Sequence, residues 1–284
     1  MSTSDEAYDA VWAGEPVELD RDVVEVRGPD AAAYLQGQLS QDVAALPVGD
    51  VVVTSLLLEP DGKLGFVVGV ARVGGVRFLV TVDRPSGAAV AARLERFKLR
   101  TDAAVRATSG EWHVVATLDR DTPAFVERVL AEGPGLDAAR TAARDVVRIE
   151  LGVPSMATEV RDELIPAELG QSLIDAAVSF TKGCYTGQEL VARVDSRGGN
   201  VPRRLRGVVV GGDERLAPGD ELVADGRVVG TVTTAGWSPR LAAPVALALV
   251  HRSVEVPAAV SVRGSIDAEV RALPLSAGSA TAAS

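Results

Sequence analysis

The octapeptide Lys182-Gly183-Cys184-Tyr185-Thr186-Gly187-Gln188-Glu189 holds the only cysteine of a 284-residue chain and one of its three lysines. Gly183 and Gly187 flank the cysteine, so the backbone can turn sharply and present the thiol. An ammonium two residues away favours thiolate over thiol if it approaches the sulfur. Gln188 and Glu189 add an amide and a carboxylate. Phe180 before the loop and Leu190-Val191 after it supply apolar anchors. The pattern reads as an exposed, activated thiol, with Cys184 and Lys182 as the candidate catalytic residues. The competing reading is a buried structural cysteine beside a solvated lysine, because free cysteine is among the most buried residue types.

Composition narrows the setting. The chain is 47% hydrophobic but only 4% aromatic, so its core must be built from Val, Leu and Ala. A net charge of −10 argues against a nucleic-acid partner, which needs a basic face. A single cysteine excludes an internal disulfide and suits a reducing compartment. The polar, acidic start lacks the order of a secretory signal, and no apolar run approaches the ~18–20 residues of a membrane span. The expectation is a cytoplasmic protein with no membrane partner. One cysteine and two distant histidines, His113 and His251, give no metal-ligand spacing and no means of holding a cluster on cysteines.

Outward from the octapeptide, the chain reads as two domains. Residues 1–20 read as a loosely docked arm. A strand over 23–26 precedes a helix carrying Ala31, Leu35 and Leu39, with Pro29 in its first turn. Apolar runs at 51–58, 64–73 and 76–82 are separated by Asp61-Gly62 and Gly74-Gly75, the signature of an antiparallel meander. Ser86 is a candidate cap for a helix bearing Val90, Leu94 and Phe97. A strand follows over 112–118. Thr122-Pro123 then reads as cap plus first-turn proline of a helix with Phe125, Val126, Val129 and Leu130 on one face. Strands with helices on one face predict an α+β body, and no glycine pattern for nucleotide phosphates is present. From about 203 to 273, six short apolar runs between turn signals predict a β-barrel. The domain limits are thus 1–202, 203–273 and a disordered tail over 274–284.

Residues 182–189 resemble the signature of the YgfZ/GcvT group of folate-binding proteins, and the likeness extends along most of the chain. Val191-Ala192-Arg193, Arg197-Gly198-Gly199-Asn200, Gly28-Pro29-Asp30-Ala31 and Asp61-Gly62-Lys63 fit it. So do Asp162-Glu163-Leu164-Ile165-Pro166-Ala167-Glu168 and the segment from Ala143 through Arg148 to Gly152. The resemblance implies a folate-binding α+β body with a central hole and a C-terminal β-barrel, with tetrahydrofolate as cofactor. Its YgfZ branch implies a role in assembling or repairing iron–sulfur clusters, with client or assembly proteins as partners. Arg148 is the implied folate contact, a guanidinium suiting a carboxylate or ring acceptor; the alternative is a surface ion pair with Asp145 or Glu150. Tyr185, Gln188 and Glu189 are the other implied cofactor contacts. The chain departs from the aminomethyltransferase pattern at Gly65-Phe66, where those enzymes carry an aspartate pair, and at Leu249, where they carry a tyrosine. Two alternatives remain: a folate-dependent aminomethyl transferase, and a non-catalytic folate-binding scaffold. The arginines at 193, 197, 203, 204 and 206 lead either to an anionic partner or merely into the barrel.

Overall fold

The computed structural model describes residues 3–108, 110–160 and 163–275. Runs rich in Val, Leu and Thr form strands because branched side chains fit a pleated, half-buried surface. In the first domain these are β1 (Val17–Leu19), β2 (Arg21–Arg27), β3 (Val51–Leu58), β4 (Leu64–Gly74), β5 (Arg77–Asp83), β6 (Ala104–Thr108), β7 (His113–Asp119) and β8 (Ala124–Leu130). They make one eight-stranded sheet in the order β1-β7-β8-β3-β4-β5-β2-β6, antiparallel throughout. The meander expected from the two glycine turns is β3-β4-β5. Two helices, α2 (Ala31–Gln38) and α3 (Gly87–Arg96), cover its middle: Tyr34, Leu35, Val90 and Leu94 pack with Val24, Val26, Phe78 and Val80.

The expected helix after Thr122-Pro123 is a strand. β8 pairs with β7 along its whole length, from His113 opposite Leu130 to Asp119 opposite Ala124. The reason is local. The Asp119 carboxylate accepts from the backbone N–H groups of Asp121 and Thr122 and from the Thr122 hydroxyl, closing a hairpin turn instead of a helix cap. The Thr-Pro pair therefore lies in that turn. The N-terminal arm is also firmer than expected. Helix α1 (Thr3–Trp12) buries Tyr8 and Val11 against Ala143 and Val147 of α4 (Ala138–Leu151). Ser86 stands at the start of α3 without a side-chain cap bond; the Asp22 carboxylate takes the Gly87 N–H instead. Pro29 lies outside α2, whose cap is Asp30.

After the short 3-10 turn Pro166–Leu169 come α5 (Gln171–Ala177) and α6 (Gln188–Ser196). The last domain is a closed barrel of β9 (Arg203–Val210), β10 (Glu221–Ala224), β11 (Arg227–Ser238), β12 (Ala243–His251), β13 (Ala258–Val262) and β14 (Ile266–Arg271). The two-residue strand period sorts its side chains. Val208, Val210, Ala246 and Ala248 fill the barrel, whereas Leu205, Val209, Leu247 and Leu249 face out and join Leu56, Leu58, Ile149 and Ile174 in a core shared with the body. Leu249 is thus a packing residue. Leu275 belongs to the same core and donates its N–H to the Glu150 carbonyl at 2.6 Å, so residues 274 and 275 are docked chain rather than free tail. The rest of the expected tail, 276–284, lies outside the described residues.

The arm is anchored by one polar contact. The Tyr8 hydroxyl donates to the buried Glu150 carboxylate, at 2.7 and 2.9 Å from its two oxygens. Tyr8→Phe is expected to cost about 1–3 kcal/mol, the penalty for leaving a buried acceptor short of a partner. Urea unfolding measures this; a change under about 0.5 kcal/mol, the scale of an ordinary surface substitution, would mean the arm contributes little.

Candidate functional site

Cys184 is exposed, on the loop between α5 and α6. The loop is held from beneath. Lys182 Nζ donates to the carbonyls of Gln36, Leu39 and Gln41 at 2.7, 2.6 and 2.9 Å, and lies 4.9 Å from the Tyr185 ring centroid. Burial pushes the ammonium down to about 8, opposed by the charge of Asp42, so it stays largely protonated at pH 7. Thr186 adds bonds from its N–H and hydroxyl to the Gly37 carbonyl. The three ammonium protons are all taken by carbonyls. Lys182 therefore clamps the loop onto the backbone of residues 36–41.

The same loop meets the β3–β4 hairpin. Gly187 (φ +79°) and Gly62 (φ +86°) touch there: a Cβ on Gly187 would strike the Glu59 carbonyl, and one on Gly62 would strike Leu190. Both positive φ and close approach demand glycine. The hairpin tip is in turn one wall of an open cavity of about 840 Å³. Glu59, Asp61, Lys63 and Phe66 line it from the hairpin, and Met156 and Glu163 from the opposite segment. The Leu64 N–H bonds the Leu164 carbonyl at 2.8 Å and sets the spacing of the two walls.

The second wall is fixed by a buried ion pair. Arg148, on α4, is 3% exposed and Glu159 is 0% exposed. Arg148 Nη1 reaches Glu159 Oε2 at 3.0 Å and the Val153 carbonyl at 3.2 Å; Nη2 reaches the hydroxyls of Thr158 and Thr234 at 3.4 and 3.3 Å; Nε reaches Asp145 at 3.3 Å. All five N–H groups are thereby used within the protein. Glu159 also accepts from the Ser155 N–H at 2.9 Å and from the hydroxyls of Thr158, Thr233 and Thr234. Burial alone would raise this carboxyl; the Arg148 charge and the Thr158, Thr234 and Ser155 bonds outweigh it and hold it below the usual carboxylate range.

Arg148 makes the ion pair with Asp145 that one reading expected, but it is buried rather than on the surface, and its donors are engaged within the protein. The other implied contacts lie on the cysteine loop and the first turn of α6. Tyr185 packs against the shared core, and burial pushes its hydroxyl up to about 12. Gln188 Oε1 accepts from the Tyr185 N–H, and Glu189 is exposed and paired with Arg193 at 2.7 Å. None of the six residues named from sequence lines the cavity. Of the arginine run, Arg203 pairs with Glu168 and Arg204 bonds the Gly199 carbonyl. Sequence reasoning missed Glu59 and Glu159. Glu59 carried one signal, an acid closing an apolar strand beside a turn. Among the described residues no group of three His, Cys, Asp or Glu side chains is placed to hold a metal ion, and no helix is long and apolar enough to cross a membrane.

Comparison with known proteins agrees with this architecture. Residues 203–276 match the glycine cleavage T-protein C-terminal barrel domain. The chain superposes on the glycine cleavage system aminomethyltransferase T of Bartonella henselae with a TM-score of 0.72 and 20% identity, covering 92% of this chain and 86% of that one. An uncharacterized protein of Haemophilus influenzae is 30% identical over 75% of this chain and 81% of its own length. The aminomethyltransferase of Streptomyces coelicolor is 33% identical over 50% of this chain, which spans 40% of that enzyme. The mitochondrial iron–sulfur cluster assembly factor IBA57 homolog of Pyricularia oryzae is 30% identical, over 63% of this chain and 53% of its own. Fold and barrel together define an aminomethyltransferase-like fold that ends in a glycine cleavage T-protein C-terminal barrel domain. The chain belongs to one family with the Haemophilus influenzae protein.

Breaking the buried pair should be costly. Arg148→Ala is expected to destabilise by about 3–5 kcal/mol because it strands Glu159 without a countercharge. The pH dependence has a definite sign. A carboxyl whose folded pKa is depressed contributes stability that is fully present above the ordinary glutamate value, about 4.3, and is lost as pH falls through the lower folded value. Glu159→Gln should therefore flatten the acid limb of stability against pH. An unchanged acid limb would mean the carboxylate is not held as described. For the loop, Lys182→Met should speed proteolysis within 182–187 and leave Cys184 alkylation at neutral pH no slower than in the wild type. Slower alkylation would restore the ammonium as activator of the thiol.

Proposed function

We propose that the protein is a tetrahydrofolate-binding accessory factor of the YgfZ branch, acting in the cytoplasm through Cys184 on iron–sulfur proteins or their assembly partners. One observation carries the reading: an exposed thiol on a loop clamped against the hairpin that walls the large cavity. The cavity's volume lies within the ~300–1,000 Å³ usual for small-molecule sites. Phe66 and Met156 offer apolar surface to a flat ring, so the residues present fit a folate. When bound, the cofactor would supply a carrier for one-carbon units. The chain's own part would be to seat that ring and to present the thiol on the loop packed against the same hairpin. The relatives named as iron–sulfur cluster assembly factors support the accessory role. A cluster would be cargo held by a partner, because one cysteine cannot ligate it alone.

Aminomethyl transfer is the second reading, supported by the aminomethyltransferase relatives. It requires acid or base help at the folate nitrogen, and Gly65-Phe66 stand where those enzymes carry the aspartate pair. Reconstitution with glycine-cleavage partners is expected to form no methylenetetrahydrofolate above background; robust formation would favour this reading. The accessory role is tested by complementation. Cys184→Ser should fold with nearly unchanged thermal stability yet fail to restore iron–sulfur enzyme activity in a strain lacking the protein. Full restoration would show the sulfur to be incidental.

A further inference from the structure

We propose that Glu59 is the recognition carboxylate of the hairpin cavity, receiving a flat heterocycle that presents an N–H beside an amino group, as a pterin does. The inference rests on the folate reading above and adds the residue that would read the ring. Three carboxylates line the cavity: Glu59, Asp61 and Glu163. Lys63 lies 2.8 Å from Glu163 and 3.5 Å from Asp61, so these two share the cation of the wall. Glu59 has only Arg93, whose Nε is 3.8 Å away, beyond hydrogen-bond reach.

Arg93 makes that spacing informative. Its side chain is 6% exposed. Its Nη2 holds the Leu58 carbonyl at 2.7 Å and Nη1 holds Gln38 at 3.3 Å, while Nε is buried with no partner. A buried positive charge fixed to the hairpin backbone beside Glu59 holds that carboxylate near one place without occupying its lone pairs. Arg93 is a positioning residue. Gly65 clears the room: a Cβ there would stand 3.1 Å from Glu59 Oε1 and 2.8 Å from the Leu57 carbonyl. A carboxylate with two free oxygens, next to the apolar surface of Phe66 and Met156, matches a ring whose faces are apolar and whose edge carries two adjacent donors.

The test is calorimetric titration with 5-formyltetrahydrofolate and with its 2-desamino analogue, which lacks one of the two donors. Wild type should bind the parent at least tenfold more tightly than the analogue. Glu59→Gln should weaken the parent at least tenfold and bind parent and analogue alike, with an unchanged melting temperature. Asp61→Asn, in the same wall but paired with Lys63, should stay within twofold of wild type. If wild type binds and Glu59→Gln matches it, or Asp61→Asn loses as much, this inference is overturned while the folate reading stands. If wild type binds neither compound, the folate reading falls and the inference with it.

Discussion

The Arg148–Glu159 pair, almost wholly out of water, is the constraint on which the rest of the molecule depends. Two charges in such a place are tolerable only with every remaining donor and acceptor satisfied. Here the satisfying groups come from three separate parts of the chain. α4 supplies the arginine, the 153–159 segment supplies a carbonyl, an N–H and a hydroxyl, and barrel strand β11 supplies Thr233 and Thr234. The pair therefore sets the seating of the barrel on the body. Glu150, two residues along α4, does the same at the other end, accepting from Tyr8 of α1 and Ser238 of β11.

The cavity follows from that seating. Ser155 and Met156 are pulled to the sheet by the Asp83 carboxylate, which accepts from the Ser155 hydroxyl at 2.9 Å and the Met156 N–H at 2.8 Å. Asp83 itself is held by Arg21 at 2.7 Å. With 155–160 fixed in this way, the β3–β4 hairpin meets it at Met156, whose sulfur accepts from the Val67 N–H at 3.1 Å, and open volume remains beside that contact. The hairpin's outer side is gripped by the cysteine loop through Gly62 and Gly187. A polar network in the interior thus leaves a space on one side of the hairpin and an exposed thiol on the other.

Much of the architecture was legible because it is local. Asp61-Gly62 and Gly74-Gly75 mark the meander, and the barrel strands lie between short turn signals. The misread element, Ala124–Leu130, failed for an equally local reason: Thr122-Pro123 fits a helix start as well as a hairpin turn, and the deciding partner is the separate Asp119 carboxylate. The octapeptide correctly marks an exposed cysteine. It does not reveal where Lys182 goes, because the carbonyls that take the ammonium lie more than 140 positions earlier. Arg148 was singled out together with its near partner Asp145, but its burial depends on the barrel, whose Thr234 lies 86 positions away. The cavity residues come from two segments, 59–66 and 156–163, whose meeting no short motif encodes.

The central claim is that the space walled by the β3–β4 hairpin is a folate site. A crystal structure of the protein with 5-formyltetrahydrofolate tests it most directly. The account predicts ring density against Phe66 and Met156, with Arg148 still fully paired to Glu159 and its neighbours. Ring density elsewhere, or a guanidinium of Arg148 turned out of its pair to meet the ligand, would contradict it.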